Sequence, residues 1–432
     1  MPTAAYYTLG CKVNQYETQK IRLEMESRGF DTARFPSPAD VYVINTCTVT
    51  AVADGKSRHA IRQANRRNPD SVVVVTGCYA ELEPRAILAI PGVDLVFPND
   101  KKGEIADRVL VRFPDLSAHP RHAQELVQQA RTRAILKVQD GCDHYCAYCV
   151  VPFARPRKWS RPFDEALREA ESLASHGYKE VVLTGIRLGS YSSDDGASLI
   201  DAADLARRMS EIGGFARVRL SSVEPWEVTD KLIATMASAP KICPHLHIPL
   251  QSGADAVLSR MGRPYDTRAY RELVRKLRAA VPGIAVTTDI LVGFPRETDD
   301  EFERGFAFVE EIGFSRLHVF RYSPRRGTRA ARMDGRTPEP IKERRSRAMI
   351  ELGARLANDF AKSRVGGTVS VLVESKRTAS GRLSGFTPDY IETEFEAPPS
   401  DSGGIVEVIA VEAVAGRLIG KKAQAQADEE AI

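Results

Sequence analysis

Apolar and polar positions alternate along the first hundred residues in a way that predicts parallel strands separated by helices. Four short apolar runs, each a candidate buried strand, fall at residues 5–9, 41–45, 72–76 and 93–97. Helices are predicted at residues 14–28 and at about 51–67. Because strands that are apolar throughout are buried on both faces, this alternation favours an open parallel α/β sheet. We predict an N-terminal domain at residues 1–111.

A second series of strands and helices follows a polar segment at residues 112–133, whose two prolines are typical of a linker. Its six predicted strands fall at residues 134–138, 180–184, 217–221, 245–249, 285–292 and 315–320. Amphipathic helical segments separate them, for example 163–176 and 267–280, and a helix at 340–363 ends the series. Six strands with crossover helices favour a partial (β/α)6 barrel over a closed eight-stranded one. The central domain is predicted at residues 134–363.

The pattern changes after residue 363 to short strands separated by Gly, Pro and Ser. These strands are predicted at residues 368–374, 381–385, 390–394 and 404–414, with an end near 418. They predict a small β-barrel at residues 364–424, of a type that often holds single-stranded nucleic acid. Residues 425–432 are predicted to be a disordered tail. The predicted fold class is therefore α/β, with three domains.

The composition excludes several classes of protein. The chain has 432 residues, of which 43% are hydrophobic and 27% charged, as in an ordinary globular protein. No apolar run approaches the ~18–20 residues of a membrane span, and the N-terminus lacks the pattern of a signal peptide. We therefore predict a cytoplasmic protein with no membrane association. The net charge of +4 is too small to indicate a partner by itself.

Three dispersed cysteines occupy equivalent positions in the N-terminal domain. Cys11, Cys47 and Cys78 each follow the C-terminal end of a predicted strand. Ligands bind at that edge of an open parallel sheet, so three residues far apart in sequence can converge there. Cysteines in a chain of this kind indicate metal or redox sites before disulfides. We predict a shared metal site, with buried core cysteines as the alternative.

A second cysteine group forms a C-x3-C-x2-C motif directly after the first strand of the central series. Three thiolates on one tight loop, here Cys142, Cys146 and Cys149, can hold three irons of a cubane cluster and leave the fourth iron open. Structural zinc normally takes four ligands from paired knuckles, and His144 is awkwardly placed inside the loop to be the fourth. This motif resembles that of the radical S-adenosylmethionine (SAM) superfamily.

The resemblance implies a [4Fe-4S] cluster whose open iron binds SAM, which the reduced cluster cleaves to a 5′-deoxyadenosyl radical. It also implies that Tyr148 lies against the adenine of SAM. Further SAM contacts are expected at three strand ends, from Thr184, Gly185, Gln251, Ser252 and Gly293. Glu224 has two interpretations, a contact with ribose or substrate or a solvated carboxylate before Pro225.

The two cysteine groups and the C-terminal barrel together resemble the methylthiotransferases over essentially the whole chain. The matching segments are residues 8–18, 45–49, 76–80 and 245–253. This family implies a second, auxiliary [4Fe-4S] cluster on Cys11, Cys47 and Cys78, where sulfur is methylated by one SAM and inserted after a second SAM activates a C–H bond. It also implies a TRAM-like RNA-binding barrel, an electron donor such as flavodoxin or ferredoxin, and a sulfur source. The chain is predicted to be a monomer.

Branches of the family differ in substrate. Segments 10–18, 221–224 and 385–390 resemble the branch that acts at C2 of N6-threonylcarbamoyladenosine at position 37 of tRNA. The alternatives are the same chemistry on isopentenyladenosine-37 of tRNA or on an aspartate of a ribosomal protein. A rival of a different class is a non-catalytic, metal-stabilised RNA-binding protein. One departure from the family is Arg155-Pro156, where the family usually has Arg-Gly.

Positive charge is concentrated in loops that follow strands, whereas the C-terminal barrel is net acidic. Basic loops at strand ends are typical of phosphate contacts that position a nucleic acid. The threonylcarbamoyl carboxylate needs a cation, and we predict that Arg155 and Arg157 supply it. Arg325 and Arg326 are predicted to bind tRNA and to lie near the substrate. Cys243 is predicted to be a buried structural thiol.

Overall fold

The structure, a computed structural model, describes residues 1–114, 116, 132–194, 196, 198–378 and 380–423. Most of the predicted linker at 112–133 and the predicted tail at 425–432 lie outside the described residues. The described part of the chain has the predicted α/β fold class, with a parallel-sheet domain, a partial barrel and a closed β-barrel. None of its helices is long and apolar enough to cross a membrane.

The N-terminal domain is built around a five-stranded parallel sheet in the order β2-β1-β3-β4-β5. Its strands are β1 (Thr3–Thr8), β2 (Asp31–Ala33), β3 (Val41–Thr46), β4 (Val72–Gly77) and β5 (Leu95–Val96). Its helices are α1 (Lys12–Ser27), α2 (Ala51–Arg67), α3 (Cys78–Leu82), α4 (Pro84–Leu88) and α5 (Ile105–Leu110). Every residue of β3 and β4 is buried, which explains why both are apolar along their length. The edge strand β2 was not predicted, and β5 is shorter than predicted, because neither is fully buried.

Six parallel strands form the partial barrel of the central domain, in two sheets ordered β12-β9-β6 and β13-β14-β15. They are β6 (Ala134–Lys137), β9 (Glu180–Thr184), β12 (Arg217–Leu220), β13 (His245–His247), β14 (Ala285–Val292) and β15 (Arg316–Arg321). The two sheets meet through isolated parallel bridges, Val218 with Ile242 and Ser222 with His247. Two antiparallel pairs complete the strands, β7 (Gln139–Asp140) with β8 (Trp159–Ser160) and β10 (Ser192–Asp194) with β11 (Leu199–Asp201).

The helices of this domain are α6 (Val151–Ala154), α7 (Phe163–Ser175), α8 (Ala202–Glu211), α9 (Asp230–Ser238), α10 (Asp255–Met261), α11 (Thr267–Ala280), α12 (Asp299–Ile312) and α13 (Glu339–Lys362). All but the short α6 and α10, which lie beside the cysteine loop, cover the outer face of the barrel. The largest apolar core lies between these helices and the strands and includes Leu246 of β13, with Leu317 of β15 packed against it. Since side chains alternate along a strand, the neighbouring residues His247 and His318 face the lumen. The lumen is therefore polar.

The C-terminal domain is a closed barrel in the order β16-β17-β18-β20-β19. Its strands are β16 (Thr368–Arg377), β17 (Leu383–Phe386), β18 (Glu392–Glu396), β19 (Ile405–Val414) and β20 (Arg417–Lys422). The loop between β17 and β18 contacts the amino ends of the central strands. Arg217 and Arg219 donate 2.8 Å hydrogen bonds to the carbonyls of Phe386 and Pro388, and the ring of Tyr390 lies 5.0 Å from that of His245. The small barrel thus closes the lumen at the end opposite the cysteines.

Candidate active site at two cysteine groups

The structure brings the three dispersed cysteines together at the carboxyl edge of the N-terminal sheet. Cys11 precedes α1, Cys47 follows β3 and Cys78 begins α3, and all three thiols are free. Burial raises the pKa of Cys47 to about 11, with smaller contributions in the same direction from negative charge on Cys78 and Cys11. Burial also raises the pKa of Cys78, and Cys11 adds to this, whereas the positive charge of Arg155 lowers it. We call Cys11, Cys47 and Cys78 the auxiliary trio.

A glycine and an asparagine side chain hold the auxiliary trio together. Gly10 has a φ of +97°, and a Cβ at this position would stand 2.9 Å from Cys47 Cβ and 3.0 Å from its Sγ. Only glycine adopts this conformation readily and leaves that space. Asn14 donates hydrogen bonds to the carbonyls of Leu9 and Thr46, at 2.8 and 3.1 Å, and so joins two of the cysteine-bearing loops. The sequence analysis did not predict this role of Asn14, because an asparagine in a sequence does not indicate which carbonyls its amide will bind.

The C-x3-C-x2-C loop forms the second group, which we call the SAM trio. Burial raises the pKa of Cys149 to about 12, and negative charge on Cys146 and Cys142 adds to this effect. Cys142 Sγ accepts a hydrogen bond from the main-chain N–H of His144 at 3.4 Å, and Cys146 Sγ accepts one from Arg263 at 3.3 Å. Hydrogen bonds to thiolate sulfurs are a feature of iron–sulfur sites, where they tune the reduction potential. The donor set therefore fits a cluster.

The spacing of the thiols argues against a single zinc ion in either trio. Within the part of the chain that the structure describes, neither trio has three sulfurs all within 4.8 Å of one another. Thiolates on one tetrahedral zinc lie closer than this, at ~2.3 Å from the metal, whereas each cysteine of a cubane binds a different iron. The ring of His144 packs against Trp226, with 4.6 Å between ring centres. The geometry fits cubane clusters better than zinc.

The residues predicted to bind SAM lie at the carboxyl ends of three strands, on the same edge as the SAM trio. Thr184 ends β9, Gly185 follows it, and Gly293 follows β14. Gln251 has a left-handed φ of +69° and pairs with β14, and Ser252 beside it is buried. Tyr148 packs in a small apolar cluster under the cysteine loop. SAM binding by these residues remains a prediction.

Ser221, at the end of β12, offers an additional group to a ligand at this edge. Its hydroxyl oxygen is buried and has no hydrogen-bond partner among the described residues. A buried hydroxyl without a partner is costly, so a bound ligand with polar groups would satisfy it. This observation fits a polar cofactor such as SAM at the strand ends.

Glu224 is bound to Arg263, a residue that was not predicted from the sequence to belong to the site. The buried Arg263 guanidinium pairs with the Glu224 carboxylate and donates to Cys146 Sγ. It also lies over the rings of Trp226 and Tyr265, at 4.8 and 5.2 Å. Glu224 is therefore no solvated turn residue, which excludes that interpretation. It orients the arginine that contacts the SAM trio.

A buried network of charges joins the two trios. The Glu17 carboxylate accepts hydrogen bonds from Arg155 at 2.9 and 2.8 Å and from Lys137 at 2.6 Å, and it also pairs with Lys102. Burial raises the pKa of Glu17, but the charges of Lys102 and Arg155 outweigh this and hold it well below its usual value. Arg155 also binds Asp140 at 2.7 Å. The Glu17 carboxylate is thus ionised, and both carboxylates are bound by cationic side chains.

This network corrects two sequence predictions. The Arg155 side chain is 1% exposed and its charge is met by Glu17 and Asp140, so it is not free to bind a substrate carboxylate. Arg325 donates to Thr48 and, at 2.6 Å, to Asp54 of the N-terminal domain, so it joins two domains rather than facing RNA. Arg157 is exposed, and the Arg326 side chain is 91% exposed. Only these last two remain available to a ligand.

Comparison with known proteins identifies two family models in the chain. Residues 3–98 match the model described as "Uncharacterized protein family UPF0004", and residues 136–309 match the Radical SAM superfamily. The chain is 40% identical to "Threonylcarbamoyladenosine tRNA methylthiotransferase MtaB" of Bacillus subtilis, over 94% of this chain and 93% of that protein. It is 38% identical to the protein of the same name from Thermotoga maritima, over 91% and 92% of the two chains.

A relative named for a different substrate is less similar. The chain is 33% identical to "tRNA-2-methylthio-N(6)-dimethylallyladenosine synthase" of Polynucleobacter asymbioticus, over 92% of this chain and 93% of that protein. Among solved structures, the radical SAM methyltransferase TsrM from Kitasatospora setae matches with a TM-score of 0.54 at 17% identity, over 74% and 73% of the two chains. At that identity the likeness concerns the fold alone.

Proposed function

The chain belongs to the methylthiotransferase family of radical SAM enzymes, and we propose that it inserts a methylthio group at C2 of N6-threonylcarbamoyladenosine at position 37 of tRNA. The product is 2-methylthio-N6-threonylcarbamoyladenosine. The enzyme uses SAM and an iron–sulfur cluster. One observation carries the proposal: Arg155 lies between the two trios. Its carbonyl accepts a 3.4 Å hydrogen bond from the Cys142 N–H, and its guanidinium acts on Cys78.

We assign a [4Fe-4S] cluster to each trio. Three free thiols on converging loops, wider apart than one ion would hold them, support the assignment to Cys11, Cys47 and Cys78 as well as to the SAM trio. Three cysteines leave one iron of each cubane without a protein ligand. Such an iron is open to SAM in one site and to sulfur in the other.

The chain's own residues orient these groups and exclude water. When bound, SAM and the clusters supply a radical, a methyl group and sulfur. Arg263, oriented by Glu224, donates a hydrogen bond to the sulfur of Cys146 and so holds this ligand in place. Contacts on both sides of the barrel, Glu17 with Lys137 and Asp54 with Arg325, hold the N-terminal domain against the carboxyl ends of the strands. A domain held there limits the access of water to a reactive intermediate.

The remaining partners are proposals that rest on the family. tRNA is the substrate, and the closed C-terminal barrel is assigned as a TRAM-like domain that binds it. A one-electron donor such as flavodoxin or ferredoxin and a sulfur source are needed for turnover. The monomeric state and the cytoplasmic location stay predictions from the sequence.

The alternative substrates are less well supported. The relatives with the higher identity carry the threonylcarbamoyladenosine name, and the relative named for dimethylallyladenosine has the lower one. No relative described above is named for a ribosomal protein. A non-catalytic RNA-binding protein would not need a second, SAM-type cysteine group at the mouth of a partial barrel.

A comparison of matched RNAs tests the proposal. Anaerobically reconstituted enzyme is supplied with reductant, sulfide, SAM and anticodon stem-loops that differ only at position 37, and the nucleosides are analysed by mass spectrometry. We expect the methylthio product from the threonylcarbamoyl stem-loop and little from the isopentenyl one. Comparable turnover of both would contradict the substrate assignment while leaving the family intact.

A further inference from the structure

Helix α2 carries positive side chains along its exposed face. Positions 56, 59, 62 and 66 follow one another at intervals of three or four residues, so they lie on one side of the helix. All four residues there are exposed, and three of them are the cations Lys56, Arg62 and Arg66. Ile61 and Ala64 lie on the opposite side and pack in the core against the sheet. We call the three cations the α2 stripe.

The α2 stripe has no acidic partner. No ion pair or side-chain hydrogen bond to Lys56, Arg62 or Arg66 occurs in the part of the chain that the structure describes. Asp54 is the one acidic residue of α2, and its carboxylate accepts a hydrogen bond from Arg325 at 2.6 Å. The helix dipole stabilises cations in the last turn, which accounts for Arg66 but not for Lys56 or Arg62.

Exposed arginines on helices of the central domain are paired instead. On α8, Arg207 and Arg208 bind Glu211, at 3.0 and 2.7 Å. Arg271 of α11 binds Glu311 of α12 at 2.9 Å. Such pairs keep an exposed helix face close to neutral. The α2 stripe departs from this pattern, so the description of a solvated helix face that fits α8 and α11 does not account for it.

The α2 stripe extends away from the auxiliary trio. The first residue of α2 is four positions after Cys47, and positions 56 to 66 span about 15 Å at the rise of an α-helix. The first turn is joined to the segment after β15, where Arg325 binds Asp54. The exposed Arg326 follows in that segment, so positive charge continues from α2 to the carboxyl ends of the barrel strands. A nucleic-acid strand carries several phosphates over such a length.

The side chains on this face fit a phosphate backbone better than the surface of another protein. Val52 is exposed in the first turn of α2, and no large hydrophobic residue is exposed between positions 53 and 67. The core of a protein interface normally contains aromatic or apolar anchors. Phosphate contacts require cations and need no such anchor. An acidic protein is therefore the less suitable partner.

We propose that the α2 stripe binds phosphates of the tRNA anticodon arm while nucleotide 37 occupies the site at the two trios. The inference rests on the proposed function and assigns a surface of the N-terminal domain to the same substrate. The C-terminal barrel is net acidic, so positive charge for the backbone has to come from another domain. Because phosphate contacts carry no base information, the stripe adds affinity for any tRNA and does not select the nucleotide.

Binding of tRNA at several salt concentrations tests this surface. Full-length, anaerobically reconstituted enzyme is titrated with one tRNA in two forms, with threonylcarbamoyladenosine or with unmodified adenosine at position 37. The neutral variant combines Lys56→Gln, Arg62→Gln and Arg66→Gln. We expect it to bind both forms about tenfold or more weakly than wild type. The slope of log affinity against log salt should fall by about two to three units, at 0.7–0.9 for each phosphate contact.

Two controls separate a local contact from a loss of net charge. A triple variant of α13 removes the same charge from exposed arginines and should keep the wild-type slope; it combines Arg344→Gln, Arg347→Gln and Arg355→Gln. A variant that exchanges lysine and arginine within the stripe keeps the charge and should keep the affinity. The neutral variant should retain the unfolding temperature and iron content of wild type, because its side chains have no partners to lose. If it does not, Arg62→Gln alone decides, with an expected loss of about 0.7–0.9 in slope.

The outcomes distinguish the surface from the proposed function. Wild-type affinity and slope in the neutral variant would show that the surface is wrong, and so would an equal loss in the α13 variant. A loss confined to the threonylcarbamoyl form would contradict a backbone contact. Normal tRNA binding combined with slower reduction by flavodoxin would assign α2 to that protein instead. If wild-type enzyme binds tRNA through the stripe but forms no methylthio nucleoside, the proposed function fails and the surface stands.

Discussion

Arg155 and Glu17 are joined by two hydrogen bonds, of 2.9 and 2.8 Å, which tie the loop of one cysteine group to the helix that follows the other. The Arg155 carbonyl accepts a hydrogen bond from the Cys142 N–H, and Glu17 lies on the helix that begins after Cys11. Both side chains are buried. The distance between the two trios therefore depends on a buried ion pair between two domains, and not only on the fold of each domain.

Removal of Arg155 should destabilise the protein strongly. The Arg155→Ala change leaves Asp140 and Glu17 buried with less compensation, and breaking a buried pair in this way costs about 3–5 kcal/mol. The control is Arg157→Ala, two residues further on, because this exposed arginine has no ion pair among the described residues and should change stability by about 0.5 kcal/mol or less. Urea unfolding of the apo-protein measures both. Equal midpoints for the two variants would show that the network does not hold the domains.

A second buried pair, Glu180 with Arg219, predicts how stability depends on pH. Burial raises the pKa of Glu180, but the charge of Arg219 outweighs it and the net pKa is lowered. A depressed folded-state pKa contributes stability that is present above the unfolded value of about 4.3 and is lost as the pH falls towards the folded value. Glu180→Gln should therefore be less stable at pH 7 and lose less stability between pH 5 and 3. Exposed Glu351→Gln should follow the wild-type curve in unfolding at each pH.

Apolar periodicity predicted most of the fold. Strands such as Ala285–Val292 and Glu180–Thr184 lie in the structure where they were predicted, because both are rich in the apolar and β-branched residues that a strand buried against helices requires. The short edge strand Asp31–Ala33 gave no such signal, since its residues are only partly buried. The cysteine groups were predictable because Cys11, Cys47 and Cys78 each follow a strand end, and the other three share one C-x3-C-x2-C motif.

The charged part of the site was not predictable from sequence in the same way. Arg155 sits in a basic segment that is typical of an exposed loop, yet its partner Glu17 is 138 residues away in the chain. Arg263 follows the helix α10, Glu224 lies in the loop after β12, and nothing in their local sequence indicates that they pair. Pairing between distant residues is set by the packing of domains, which periodicity does not describe. The prediction for Arg155 was wrong for this reason.

The two trios should have separable roles. Cys142→Ala should abolish reductive cleavage of SAM, whereas Cys47→Ala should spare cleavage and stop methylthio insertion. Each variant should hold about four irons per chain instead of about eight, the content of one cubane instead of two. Cys243→Ala is the matched control, because this buried cysteine belongs to neither trio and should keep all the iron. Methylthiolation by the Cys47 variant would contradict the assignment of the auxiliary cluster.

The adjacent residues Arg325 and Arg326 should have different effects on tRNA binding, although the sequence predicted one role for both. Arg326 is exposed, and its ion pair with Glu83 is long, at 3.8 Å. Its charge is therefore available to a phosphate. Arg326→Ala should weaken tRNA binding and reduce the slope of log affinity against log salt by about 0.7–0.9, the value for one phosphate contact. Arg325→Ala should leave that slope unchanged and instead destabilise the contact with Asp54, since its guanidinium already binds two partners in the N-terminal domain.

Fluorescence titrations at several salt concentrations, together with thermal unfolding, separate the two effects. An unchanged slope for Arg326→Ala would place that arginine on a surface that tRNA does not reach, and a reduced slope for Arg325→Ala would show that its contact with Asp54 opens when RNA binds.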